Sequence, residues 1–198
     1  MAGRLDGKTV AILATDGVEQ VELVEPRKAL DAAGATTRLV SLQAGEIQGF
    51  NHHDKGDKIP VDLTLDQARS QDFDALMLPG GAINPDRLRM EPRAVAFVRS
   101  FFDARKPVAA ICHAPSLLIE ADVAEGRRMT SWPSIRTDLA NAGAEVVDEE
   151  VVVDDGLVTS RKPDDIPAFN ARMIEEFAKD GHNPVSVQAR NGERPGAW

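Results

Sequence analysis

The segment "KPVAAICHAPSLLIEA", residues 106–121, decides how this chain is read. Its first half, "PVAAIC", is continuously apolar, the pattern of a strand buried on both faces of a parallel sheet. Its second half, "APSLLIEADV", places a proline where a first helical turn accepts one. The chain's only cysteine, Cys112, falls at the junction and is followed by His113, Ala114 and Pro115. A nucleophile on a strand-to-helix turn sits at the sheet edge and faces a cleft. The unpaired N–H groups at the start of the following helix favour thiolate, the reactive form of the residue. The elbow pattern G-x-S-x-G is absent. From placement alone, Cys112 reads equally well as a small buried apolar residue at a strand end.

Working outward, the same strand–helix alternation recurs. "KTVAILA" (8–14) reads as a buried strand, "TDGVE" as a turn, and "QVELVEPRKALDAAG" as a helix ending at Gly34. "TTRLVSL" is a second strand, and the polar, glycine-rich stretch 43–59 is loop or a short hairpin. "DALMLPGG" runs a strand into a glycine pair. "EPRAVAFVRSFFDARK" has Ala94, Phe97, Val98 and Phe101 at helical spacing. "RRMTSW" reads as a strand and "PSIRTDLANAG" as a helix. "EVVDEEVVVDDGLVTSR" is a strand and a hairpin turning at Asp154-Asp155-Gly156, and "KPDDIPAFNARMIEEFAKDG" is the last helix. This order predicts an α/β three-layer sandwich: a mostly parallel sheet with helices on both faces, flavodoxin-like or class I glutamine amidotransferase-like. Ligands in such sheets collect at the carboxyl ends of strands, where the loops at 15–22, 79–86 and 112–115 would meet. Residues 1–180 are expected to form a single domain, and 181–198 a tail serving an interface or lacking order.

The 198 residues carry a net charge of −9, with 42% hydrophobic and 28% charged residues. That balance suits a soluble domain and disfavours nucleic acid or an anionic membrane as partner. No apolar run approaches the ~20 residues of a membrane span, and the N-terminus lacks the apolar stretch of a signal peptide. One cysteine makes no intrachain disulfide and no cysteine-pair zinc site, so the expected location is cytoplasmic. His52 and His53 lie in a polar loop without a third ligand at sensible spacing. They, and His182 in the tail, are read as plain surface residues, and no metal is expected.

Four segments together resemble the ThiJ/PfpI superfamily, which includes intracellular protease I-like proteins and the Parkinson-associated deglycase. "AICHAP" resembles its A-I-C-H-G-P elbow. "ILATDGVEQVELVEP" is similar to its first strand and loop, with a glutamate four residues before a proline. "DALMLPGGAINPDRLR" is similar to its glycine-pair loop, and "SRKPDDIPAF" to the late signature of the PfpI branch. The matches keep the family's order over roughly residues 8–177. The resemblance implies that Cys112 is the nucleophile and His113 the histidine beside it. It implies that Glu22 contacts the sulfur in protonated form, since two bare negative charges would repel. Gly80 and Gly81 would supply oxyanion-hole N–H groups. Asp86 would reach the histidine of a neighbouring subunit, and Glu19 would line the pocket. Because His113 is adjacent in sequence to Cys112, its ring is not expected to reach the sulfur easily.

Two departures stand out. Ala114 replaces the usual glycine and is expected to narrow the space over the thiol. Asp86 is one methylene shorter than the glutamate often found. Trp132 and Pro133 would shape one pocket wall or pack in the core. The resemblance implies a cofactor-independent glyoxalase or deglycase acting on a small-molecule carbonyl or glycated substrate, in a homo-oligomer that is a dimer or a hexamer of dimers. A PfpI-type cysteine peptidase and a redox-sensing or chaperone-like stress protein are the alternatives. A glutamine amidotransferase would need a late H-P-E run, which the chain lacks.

Overall fold

The computed structural model describes residues 3–179. The chain starts with β1 (Thr9–Leu13), a two-residue β2 (Val18–Glu19), α1 (Gln20–Ala32) and β3 (Thr36–Ser41). A hairpin of β4 (Glu46–Asn51) and β5 (Asp54–Pro60) follows, then β6 (Leu63–Thr64). β7 (Ala75–Leu78) leads into α2 (Ile83–Arg89) and α3 (Pro92–Asp103), and β8 (Val108–Ile111) into α4 (Pro115–Glu120). The last third holds β9 (Arg128–Met129), α5 (Arg136–Asn141), β10 (Glu145–Val146), β11 (Val151–Asp154), β12 (Leu157–Ser160) and α6 (Ile166–Phe177).

The main sheet runs β11-β12-β8-β7-β1-β3-β6. Only the β11–β12 edge hairpin is antiparallel; the other pairs are parallel. The α/β sandwich expected from the strand–helix alternation is therefore the one observed. β1 lies between β3 and β7, with Ile12 opposite Leu39 on one side and Met77 on the other.

Alternation along the strands builds two cores. Ala11 and Leu13 of β1 and Val108 and Ala110 of β8 face one side, where Leu88, Val98, Phe101, Leu117, Leu118 and Leu139 from α2–α5 cover them. Val10, Ile12, Ala109 and Ile111 face the other, under Leu23 and Leu30 of α1 and Phe169, Met173 and Phe177 of α6. The central strands β1, β7, β8 and β12 are thus buried on both faces, which is why their sequences show apolar runs instead of period two.

The structure amends several element boundaries. The stretch 43–59 forms a hairpin of six- and seven-residue strands, and β4 pairs with β2. β5 is largely exposed, so no apolar alternation announced it. A helix, α2, occupies part of what reads as loop after the glycine pair. "RRMTSW" contributes only the two residues of β9. No helix among the described residues is long and apolar enough to cross a membrane. The expectations for the tail and His182 lie outside the described residues.

Candidate active site

The loops after β1, β7 and β8 converge at the carboxyl edge of the sheet, as the fold requires. Backbone and side-chain bonds lock the first two together. Asn84 Oδ1 accepts from the Thr15 N–H at 2.8 Å, and its Nδ2 donates to the carbonyls of Pro79 (2.8 Å) and Gly80 (3.1 Å). The fully buried Asn84 is thus a site-building residue that the sequence reading missed.

Cys112 follows β8 directly with φ of +63°, a left-handed conformation that costs energy for any residue with a side chain. Its N–H donates to the Ser160 carbonyl (3.0 Å) and its carbonyl accepts from the Trp132 N–H (2.9 Å). Both backbone groups are anchored, so the surrounding fold holds the strained turn. The residue is 5% exposed, which makes it buried at the floor of a cavity and not on open surface.

Glu22 reaches the same floor from α1 and is fully buried. Pro26, within α1, has no N–H to donate to the Glu22 carbonyl one turn back, which loosens the helix at this residue. Glu22 Oε2 accepts from the Gly80 N–H at 3.0 Å. Its other oxygen, Oε1, is buried with no partner in hydrogen-bond geometry, and its carboxyl interacts with the Cys112 thiol. Burial pushes the Glu22 carboxyl up to about 8, with the nearby Glu19 charge adding to the rise. At neutral pH it therefore carries its proton, as an acid beside a thiolate must. Burial also pushes the Cys112 thiol up, and so does an ionised Glu22. The N–H groups of Gly81 and His113 oppose that shift as donors to the sulfur. One cause acts on both residues, so this buried pair holds at most one negative charge. The expected preference for thiolate from the helix start is outweighed by burial.

The glycine pair divides its work. A Cβ at Gly80 would lie 2.5 Å from Glu22 Oε2, 2.6 Å from Cys112 Cβ and 2.7 Å from the Ile111 carbonyl oxygen, so only glycine fits. Its N–H is spent on Glu22 and is not free for an oxyanion, contrary to expectation. Gly81, with φ of +85°, directs its N–H at the sulfur and at the Glu22 carboxyl beside it. The second donor there is His113 N–H, which the sequence reading did not assign.

His113 corrects another expectation. Its Nδ1 lies 3.2 Å from Cys112 Sγ, because the left-handed turn at Cys112 folds the next side chain back over the sulfur. Its Nε2 lies 3.2 Å from Ser134 Oγ. The ring stacks on Trp132 at 5.6 Å between centroids and 25° between planes. Burial lowers its pKa.

These groups open into a cavity of about 490 Å³ that also touches Glu19, Trp132 and Pro163. His52 and His53, read as plain surface residues, line it too, because the hairpin tip folds over the mouth. Glu19 Oε2 accepts from the His52 N–H at 3.1 Å and ties that tip down. Ala114 is 1% exposed and packs in the core beneath α4, so its methyl group does not narrow the space over the thiol. Asp86 is exposed on α2 and lines a different groove with Arg89, Met90 and Arg99; within one chain it does not join Cys112 and His113. Among the described residues no group of three or more His, Cys, Asp or Glu is arranged to hold a metal.

The comparisons with known proteins agree with this geometry. A family model described as "DJ-1/PfpI family" matches residues 8–176. General stress protein 18 of Bacillus subtilis is 47% identical over 87% of this chain and 99% of its own length. Protein/nucleic acid deglycase 2 of Escherichia coli is 47% identical over 84% of this chain and 96% of its own. Putative cysteine protease YraA of B. subtilis is 44% identical over the same shares, 84% and 96%. The relatives' names divide between deglycase and protease, so the resemblance does not single out the PfpI branch. A cysteine held on a strained elbow beside a buried acid and a histidine, within a match that spans nearly all the described residues, places this chain in the DJ-1/PfpI family.

Proposed function

We propose that the protein is a thiol enzyme acting on small reactive carbonyls, of glyoxalase or deglycase type, with Cys112 as nucleophile. One observation carries the reading: Glu22 is buried beside the sulfur, with its carboxyl pushed up to about 8. A neutral acid next to a nucleophile suits a reaction that must protonate an oxygen and then take a proton from carbon.

For methylglyoxal the steps balance as follows. The thiolate adds to the aldehyde carbon, and Glu22 gives its proton to the new alkoxide, leaving a hemithioacetal and a carboxylate. That carboxylate removes the proton from the former aldehyde carbon and returns it to the neighbouring carbon, while the hydroxyl proton on the first oxygen passes to the second, giving a thioester with a hydroxyl on the neighbouring carbon. Water hydrolyses the thioester to lactate and frees the thiol. The N–H groups of Gly81 and His113, donors toward the sulfur, would stabilise negative charge there or on the first oxygen. No dissociable cofactor enters. A homodimer belongs to the same proposal, with Asp86 serving a neighbouring subunit's cavity at its rim, since both His113 ring nitrogens already have partners within the chain.

The test is methylglyoxal turnover with lactate measured directly, for folded wild type, Cys112→Ser and Asp86→Ala. Cys112→Ser should lose at least 10³-fold, and Asp86→Ala should lose activity without unfolding. Absence of lactate with wild type sinks the carbonyl reading, and wild-type turnover by Asp86→Ala removes the cross-subunit role. A peptidase is the second reading, supported by the 3.2 Å approach of His113 Nδ1 to the sulfur and by the protease-named relative. Peptide hydrolysis without lactate formation would select it.

A further inference from the structure

The hydrogen bond between His113 Nε2 and a serine hydroxyl, where an acid would commonly orient a catalytic histidine, has a consequence for how the thiol loses its proton. A carboxylate in that position can only accept, so it stabilises a doubly protonated imidazolium. A hydroxyl both donates and accepts. His113 is partly buried and stacked on Trp132, an environment that disfavours its charged form. Cys112 and its Glu22 neighbour are enclosed, whereas Ser134 is exposed to solvent. The three groups therefore form a line from the buried sulfur to water, with both links at 3.2 Å.

We propose that Ser134 is a positioning and relay residue that lets His113 deprotonate Cys112 by exchanging tautomers, without an imidazolium. In the thiol state the S–H donates to Nδ1, and the Nε2–H donates to Ser134 Oγ. On activation the S–H bond breaks and its proton goes to Nδ1. The Nε2 proton goes to Ser134 Oγ, whose own hydrogen leaves to bulk water. The sulfur gains one negative charge, one proton enters solvent, and the hydroxyl ends as a donor to bare Nε2. Within one chain, the other titratable groups facing this line across the cavity are Glu19 and Glu22 from β2 and α1 and His52 and His53 from the hairpin. No lysine or arginine lines the cavity among the described residues. The site thus relies on the protonated Glu22, Ser134 and backbone N–H groups, not on a cation, to make its thiolate.

Two measurements on the intact protein test this, and neither needs a substrate, so the relay stands or falls apart from the carbonyl reading. First, the pH profile of Cys112 alkylation by iodoacetamide is recorded for wild type, Ser134→Ala and Ser134→Thr. Loss of one hydrogen bond to the active tautomer should slow Ser134→Ala about three- to tenfold at pH 7 and move its profile to higher pH. Ser134→Thr should stay within about twofold of wild type. Second, ¹⁵N NMR of the His113 ring in wild type should pass from the Nε2–H form to the Nδ1–H form as Cys112 ionises. An imidazolium signal at that stage, or coincident profiles for wild type and Ser134→Ala, overturns the proposal. If Ser134→Ala does not fold, the NMR titration of wild type decides alone.

Discussion

The cavity has two halves built by opposite rules. The floor, formed by Glu22, Gly80, Gly81 and Cys112, is enclosed, and its parts touch one another so closely that each fixes the identity of the next. The rim, formed by His52, His53, Trp132 and Pro163 with Ser134 behind His113, comes from a hairpin tip and from loops before α5 and α6, and much of it is exposed. The floor sets whether a thiol can react; the rim sets what reaches it and where its proton goes. Substitutions in the floor should therefore cost activity, and those that alter its packing should cost fold as well, whereas those at the rim should leave the fold intact.

The largest effect is expected at Gly80. In Gly80→Ala the new methyl group would press on Glu22 Oε2, Cys112 Cβ and the Ile111 carbonyl, all within 2.7 Å. Ile111 belongs to a central strand, so the backbone cannot yield cheaply. We expect a loss of about 3 kcal/mol or more, read by urea denaturation, and abolished alkylation of the native thiol. Near-normal stability would mean that the floor is looser than these contacts imply.

Glu22→Gln comes next, and it separates stability from chemistry. Its amide keeps the size and can still donate to sulfur, but it transfers no proton, so turnover should fall 10²- to 10⁴-fold. The folded protein holds the Glu22 proton up to about pH 8, whereas an unperturbed glutamate releases its proton near 4.5. Between these values the native state binds the extra proton, so wild-type stability falls as pH rises through that window and levels off above it. The full span corresponds to roughly 5 kcal/mol. Gln carries no such proton, so the variant should gain on wild type between pH 5 and pH 8.5. Parallel stability curves for the two proteins would show that Glu22 is ionised in the fold.

The two halves also differ in how legible they were. The floor could be read from residues 8–120 because its chemistry follows chain order: apolar strand, then glycine pair or cysteine, then helix. Close packing restricts those positions to one residue type each, as the contacts around a Cβ at Gly80 show. The rim could not be read that way. His52 and His53 sit 60 and 59 residues from Cys112, in a hairpin whose exposed strands carry no periodicity. Ser134 has no signature at all, and its role exists only because the left-handed turn at Cys112 swings His113 over the sulfur. That turn also explains why His113 seemed unable to reach: the expectation assumed ordinary backbone geometry at a position that does not have it. Ala114 failed for a related reason, since its place next to the nucleophile in sequence says nothing of which side of the turn it faces.

The smallest effect should come from the hairpin tip, and it is the sharpest check on the contrast. His52 holds the tip through its backbone N–H to Glu19, a contact that survives any side chain. Its own side chain is 80% exposed, and its ring nitrogen lies 3.9 Å from Glu19 Oε2, too far for a strong bond. His52→Ala should therefore leave stability within about 0.5 kcal/mol. It should change KM by no more than about threefold at constant kcat, because it alters the mouth of the cavity and not its floor. A large fall in kcat would place the hairpin tip in the chemistry and erase the boundary between the two halves. His52→Pro is the complementary variant. It removes the N–H, and the φ of +58° at this position is one that proline cannot adopt, so it should release the tip and raise KM well beyond the alanine value. If the alanine and proline variants behave alike, the Glu19 latch contributes nothing to how the cavity holds its substrate.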